Sequence, residues 1–163
     1  MKTVLLFYFS LLVCTIHSVS AQMDENAIRQ EVLKKNITDS LFVFGKWTED
    51  GEDETRLKYL GKIYRKDGSV IKVMTSCWIW GYSKRATSRI LIFDNKNHFL
   101  GDYYLSMTYD LPEYIENGKL VFTHSETDDC DAFVKIDFAN ELPEQFFLEC
   151  KDGMGDIYNF EPK

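Results

Sequence analysis

The stretch KDGSVIKVMTSCWIW, Lys66–Trp80, decides the fold because it joins a turn to one long alternating strand. Asp67-Gly68 is a strong hairpin signal between extended segments. From Val70 onward, every second residue lies on the same side of a strand, so the stretch has two faces. The first face carries Ile71, Val73, Thr75, Cys77 and Ile79, and the second carries Lys72, Met74, Ser76, Trp78 and Trp80. We expect the first, more apolar face to be the core face.

The same two-residue period continues on both sides of this stretch. Arg56–Arg65 alternates before the turn, and Asn117-Gly118, a dipeptide favoured in type I′ turns, marks a later hairpin. Ala132–Phe138 and Gln145–Cys150 are predicted to pair across a short turn. Regular short strands with turn-rich connections predict a mainly β protein, an antiparallel meander of about 8–9 strands that forms a barrel or a sandwich.

One short helix is predicted at 24–36, before the first strand. Asp24 can cap its N-terminus, and Lys34 and Lys35 lie at the negative end of the helix dipole. Its apolar stripe consists of Ile28, Val32 and Leu33. A helix with such a stripe can cover one face of a sheet.

Residues 1–21 have the features of a signal peptide. The apolar run Thr3–Val13 is too short to span a bilayer, and small residues follow it at the expected cleavage point. We expect cleavage after Ala21, which leaves 22–163 as a single secreted or periplasmic β domain. The alternative is a lipoprotein anchored at Cys14, although the large residue before that cysteine fits a lipoprotein signal poorly. No other segment is long and apolar enough to cross a membrane.

The charge of the chain is strongly acidic. It has 19 basic and 26 acidic residues, which give a formal net charge of −7. A field of this sign repels phosphate backbones, so it argues against nucleic acid as a partner. It would speed encounter with a basic protein, and it also serves solubility.

Three cysteines follow the signal segment: Cys77, Cys130 and Cys150. In an oxidising compartment, one disulfide and one free thiol is the simplest arrangement. If the strands before and after Glu144 pair, Cys130 and Cys150 come close enough for a disulfide. The alternative is that all three thiols are reduced and buried. Metal binding is not predicted, because the cysteines are far apart in sequence and no His-x-x-x-His accompanies them.

The two tryptophans of the long strand point away from the expected core face. Either the helix covers them as part of the core, or they form an aromatic platform with cationic side chains from the loop after Gly81. The candidate binding residues are Trp78, Trp80, Tyr82, Lys84, Arg85 and Arg89. Such a site would suit a sugar face, a carboxylate or a hydrophobic peptide.

No catalytic constellation is recognisable in the sequence. Only His98 and His124 follow the signal segment as histidine bases, and neither accompanies a nucleophile motif. There is no phosphate-binding glycine motif, and no cofactor is predicted. Clustered carboxylates, such as those in Glu49–Glu54, leave a carboxylate-dependent hydrolase as a further alternative.

Gly45-Lys46-Trp47 follows the short helix and lies in the first predicted strand. This tripeptide resembles the G-x-W signature of lipocalin-like barrels, whose strands form a meander around a small apolar ligand. The resemblance implies a carrier with an internal cavity. The basic residue that packs on this tryptophan from the last strands of lipocalins is not identifiable in the sequence.

The leading hypothesis is a non-enzymatic secreted or periplasmic domain that binds another molecule, with a protein as the expected partner. An inhibitor or immunity-type protein directed against a basic enzyme would fit the charge. A lipocalin-like carrier of a small apolar ligand is the alternative, and a sugar ligand also fits the aromatic pair. No membrane span is expected in the mature domain.

Overall fold

The structure is a computed structural model that describes residues 24–123, 133–149 and 153–163. Within these ranges the chain forms one α-helix, one short 3-10 helix and ten strands, where about 8–9 strands were predicted. The α-helix α1 is Glu25–Lys35 and the 3-10 helix is Thr108–Asp110. The strands are β1 Leu41–Gly45, β2 Glu54–Tyr64, β3 Val70–Trp80, β4 Arg85–Asp94, β5 Phe99–Leu105, β6 Tyr114–Glu116, β7 Lys119–Thr123, β8 Phe133–Asp137, β9 Gln145–Glu149 and β10 Gly155–Pro162.

The strands form two antiparallel sheets. The larger sheet has seven strands in the order β1-β2-β3-β4-β5-β10-β9, and the smaller has three in the order β6-β7-β8. The predicted antiparallel β fold is therefore confirmed. Of the two predicted architectures, the sandwich is the one observed, because no ladder among the described strands joins the ends of the larger sheet into a barrel.

The predicted pairing of β8 with β9 is wrong. β8 pairs with β7 in the smaller sheet, and β9 pairs with β10 in the larger one. Both strands have the predicted apolar faces, but those faces meet the common core from different sheets. The predicted disulfide between Cys130 and Cys150 lies outside the described residues. The same holds for the predicted signal peptide, 1–21, and for the alternative lipid anchor, Cys14. The strand pairing that suggested the disulfide does not exist.

The main core lies between the two sheets. The inner face of the larger sheet, defined as the face toward the smaller sheet, contributes Ile71, Val73 and Tyr103. Leu120 and Phe122 of β7 meet them from the opposite sheet. The rings of Tyr103 and Phe146 lie 5.0 Å apart at their centroids, so aromatic contacts fill this interior.

A second core lies on the outer face of the larger sheet, under α1. The helix begins as predicted, with the carboxylate of Asp24 accepting a hydrogen bond of 2.9 Å from the backbone N–H of Asn26. Its stripe of Ile28, Val32 and Leu33 is buried, as expected. The stripe packs on Leu57, Met74 and Leu91 of the sheet. Within the described ranges, no helix has the length and hydropathy needed to cross a bilayer.

Candidate functional site

The two tryptophans at the end of β3 form a stacked pair, which we call the aromatic platform. The ring centroids of Trp78 and Trp80 are 5.4 Å apart, and the ring planes are inclined by 23°. The indole N–H of Trp78 donates to a carboxylate oxygen of Asp53 at 3.2 Å, and that of Trp80 donates to the hydroxyl of Thr87 at 3.2 Å. These bonds orient both rings on the outer face of the sheet.

The helix covers only part of the outer face of β3. Met74 is fully buried in the cluster beneath α1. Trp78 and Trp80 lie farther along the strand and remain half-buried. The platform is therefore neither enclosed in the helix-covered core nor bare, and each indole presents part of its surface to solvent.

Two of the predicted cations lie in a strand and not in a loop. Arg85 and Arg89 belong to β4, because the turn after Trp80 is short and pairs Trp80 directly with Arg85. Positive φ angles of 69° at Gly81 and 52° at Lys84 allow this tight reversal. The guanidinium carbon of Arg85 lies 5.5 Å from the ring centroid of Trp80, within the range of a cation–π contact.

The remaining two predicted binding residues lie in the turn itself. The ammonium group of Lys84 is 5.0 Å from the ring centroid of Trp47, not over the aromatic platform. Trp47 in turn donates its indole N–H to the carbonyl oxygen of Gly81 at 2.9 Å. Tyr82 is 79% exposed. A basic residue thus packs on the tryptophan of the G-x-W tripeptide, but it comes from the β3–β4 turn.

A cleft of about 380 Å³ lies beside the platform, between α1 and the sheet, and we call it the outer cleft. Its lining residues are Glu25, Arg29, Ser76, Trp78, Thr87, Arg89, Phe99, Asp102 and Tyr104. Arg89 forms an ion pair with Asp102 at the floor, and its guanidinium carbon lies 5.3 Å from the ring centroid of Tyr104. Arg29 pairs with Glu25 at 2.6 Å.

Burial lowers the pKa of Arg29 because the charged guanidinium has lost part of its hydration. The carboxylates of Glu25 and Asp102 oppose this effect, and the positive charge of Arg89 adds to it. The two guanidinium groups therefore influence each other across the outer cleft.

The structure thus brings together four of the six predicted residues: Trp78, Trp80, Arg85 and Arg89. Sequence reasoning missed the partners that α1 and β5 supply, including Arg29, Asp102 and Tyr104. One signal could have found two of them. Asp102 and Tyr104 alternate with the core residue Tyr103, so they had to lie on the outer face.

A second cleft, of about 620 Å³, lies on the inner face at the end of the sheet that carries the β3–β4 turn. Cys77 and Ile79 contribute to it, together with Arg56 and Lys58 of β2. Thr123, the last described residue before 124–132, is also part of its lining. Burial raises the pKa of the Cys77 thiol, which makes it a poor nucleophile.

The described histidine and carboxylates offer little sign of catalysis or metal binding. The Nδ1 atom of His98 lies 2.8 Å from a carboxylate oxygen of Asp94, in an exposed turn. In the part of the chain that the structure describes, no group of three or more His, Cys, Asp and Glu side chains is arranged to hold a metal ion. The two carboxylates of the outer cleft are each paired with an arginine.

Comparisons with protein-family models, with curated proteins and with solved structures found no match to this chain.

Proposed function

We propose that the chain is a non-enzymatic binding domain that captures a protein partner on the outer face of its larger sheet. The observation that carries the proposal is the half-buried aromatic platform with arginine side chains packed around it. Tryptophan, tyrosine and arginine are the residue types that dominate binding energy at protein interfaces. The platform and Arg85 supply such anchors on a rigid strand pair.

The charge of the chain suggests the nature of the partner. The loop before β2 contains Glu49, Asp50, Glu52 and Asp53, within a chain of net charge −7. Asp53 already contacts Trp78, so the acidic loop borders the aromatic surface. We therefore expect a basic partner, which would associate faster at low ionic strength. A secreted inhibitor or immunity-type role would fit this pairing.

The alternative, a carrier of a small apolar ligand, has less support. The closed barrel implied by the resemblance to lipocalins is not formed by the described strands. Aromatic side chains pack against one another in the main core between the sheets. The cleft of about 620 Å³ on the inner face lies at one end of the sheet, and charged side chains such as Arg56, Lys58 and Glu113 form part of its lining. The geometry therefore favours recognition on the surface over storage in the interior.

Capture experiments with a double variant would test the proposal. The immobilised chain should retain a basic protein from the secreted fraction of its source, and Trp80→Ala with Arg85→Ala should weaken binding of that purified protein. Loss of hot-spot side chains costs about 2 kcal/mol or more, or about thirtyfold in affinity. Titration calorimetry would measure this loss.

A matched control is available at the opposite end of the sheet. Tyr64 is a 73% exposed aromatic residue at the end of β2, so Tyr64→Ala removes a comparable ring outside the proposed surface. The affinity of the Tyr64→Ala variant for the captured protein should equal that of the unchanged chain. The proposal fails if the double variant remains folded by circular dichroism and binds the partner with unchanged affinity.

A further inference from the structure

We infer that the outer cleft is a binding site for a small organic acid with a flat apolar body, whose carboxylate is held by Arg29 and Arg89. This site goes beyond the proposed capture of a protein, because the cleft shares Trp78 with the platform but adds walls and donors from α1 and β5. Its volume of about 380 Å³ lies within the range of small-molecule sites.

The walls of the cleft suit a flat apolar body. Trp78, Phe99 and Tyr104 all line it, and each presents part of an aromatic ring. Two of these rings already carry a guanidinium group: Arg29 lies 5.5 Å from the centroid of Phe99, and Arg89 lies 5.3 Å from that of Tyr104. Each guanidinium covers part of its own ring, so a planar ligand would stack on the exposed surface of Trp78, next to these cations.

The hydrogen-bonding groups favour an anion. Thr87 accepts a bond from the indole of Trp80, so its own O–H remains free to donate. Ser76 adds a second hydroxyl to the same cleft. The two carboxylates, Glu25 and Asp102, are both occupied by guanidinium groups. Donors thus outnumber free acceptors, which matches a ligand that only accepts.

The ion pair of Arg29 is the one that a ligand can replace. The side chain of Arg29 is 13% exposed and that of Glu25 is 59% exposed, so the arginine is nearly buried and its partner is not. An ion pair between residues four apart on one helix, with one partner largely exposed, contributes little to stability. A ligand carboxylate that reaches Arg29 inside the cleft would form a better shielded, charge-assisted bond.

Asp102 fixes the position of Arg89 in the cleft. It is 7% exposed and holds Arg89 from the floor of the cleft. The bond to Asp102 uses Nη1 of Arg89, and a guanidinium has five N–H donors, so others remain for a ligand. A carboxylate between Arg29 and Arg89 would also offset the repulsion between the two cations.

Titration of the full chain with phenylacetate, followed by amide and indole NMR, would test the site. Phenylacetate combines a flat ring with a carboxylate, and phenylacetamide is its neutral match. We expect phenylacetate to shift the signals of Trp78, Thr87 and Arg89, and phenylacetamide to bind at least about tenfold more weakly. Equal binding of the two compounds, or no shifts with phenylacetate, would overturn the inference.

Substitutions would locate the site. Arg29→Gln should weaken phenylacetate binding by about tenfold, whereas Arg56→Gln, on the inner face of the sheet, should leave it unchanged. Arg29→Lys provides a second variant that keeps the charge and the stem but loses the guanidinium fork, and we expect an intermediate loss. Unchanged binding in both Arg29 variants would contradict the inference. Protein capture by the platform is measured separately, so failure of one proposal leaves the other standing.

Discussion

Two buried tyrosines show how a single hydroxyl contributes to this fold. The hydroxyl of Tyr103 donates to the carbonyl oxygen of Pro143 at 2.5 Å, and that of Tyr158 donates to a carboxylate oxygen of Asp110 at 2.7 Å. Burial raises the pKa of both tyrosines well above the usual range, and the bond to Asp110 adds to the shift of Tyr158. Both tyrosines therefore remain protonated donors, but their acceptors differ in charge.

Removal of the two hydroxyl groups should lower stability by unequal amounts. Tyr158→Phe leaves a buried carboxylate without one of its donors, and we expect it to lower the free energy of unfolding by about 1.5–3 kcal/mol. Tyr103→Phe removes a bond to a neutral acceptor and should cost about 0.5–1.5 kcal/mol. Urea denaturation of both variants measures the difference. Equal losses would show that the charge of Asp110 is not important for stability.

At the scale of elements, the short helix α1 is stabilised by packing of its apolar stripe on the sheet and not by helix propensity alone. An isolated helix of 11 residues is marginal in water, so α1 depends on packing against the outer face. Leu33 is 2% exposed in this contact, and Ile37, just after the helix, is 50% exposed. The two residues offer a matched comparison of buried and exposed apolar side chains.

Truncation of the buried member should destabilise the whole domain. Leu33→Ala removes apolar contacts with the sheet and leaves a cavity, so we expect a loss of about 2–5 kcal/mol in the free energy of unfolding. Ile37→Ala should change it by less than about 0.5 kcal/mol. Chemical denaturation monitored by circular dichroism checks both. Similar losses for the two variants would mean that α1 does not pack as described.

At the scale of the whole molecule, the acidic composition makes stability dependent on pH. The hydrogen bond from Arg56 lowers the pKa of Glu54, and the bonds from Ser69 lower that of Asp67. A carboxylate with a depressed pKa stabilises the fold above its unfolded pKa, and this contribution is lost as the pH falls through its folded pKa. Acidification below about pH 4 should therefore destabilise the domain.

A substitution at Glu54 isolates one part of this dependence. Glu54→Gln should lower the melting temperature at pH 7, and its difference from the unchanged chain should shrink as the pH falls toward about 2. Glu49→Gln, at an exposed carboxylate in the preceding loop, serves as the control. Calorimetry at several pH values would measure both series. A difference that is constant with pH would contradict the assigned role of Glu54.

Local sequence predicted individual elements well and their long-range pairing less well. The strand Val70–Trp80 has the predicted bounds, and Asn117 and Gly118 have the positive φ angles of the predicted turn, 51° and 77°. These features depend on neighbouring residues. The pairing of β8 with β7 and of β9 with β10 depends on residues far along the chain. Alternation shows that a strand has an apolar face, but it does not show with which strands, and so in which sheet, that strand pairs.

The candidate site was likewise predicted only in part, because some of its residues are close in sequence and others are not. Trp78, Trp80, Arg85 and Arg89 come from one hairpin, so their shared face follows from alternation and turn length. Arg29 comes from α1 and Tyr104 from β5, and only the packing of the helix on the sheet brings them to the same cleft. The extent to which α1 covers the outer face is likewise a matter of tertiary packing.

The sequence by itself determined that this protein is a mainly β chain with one amphipathic helix, because side-chain periodicity and turn residues act over a few neighbours. It also determined which side of β3 carries the tryptophans. Only the tertiary structure decided that the strands form a sandwich, that the helix leaves Trp78 half-buried, and that Arg29 and Arg89 line one cleft. Those outcomes depend on burial of apolar surface between elements distant in sequence, which no local pattern specifies.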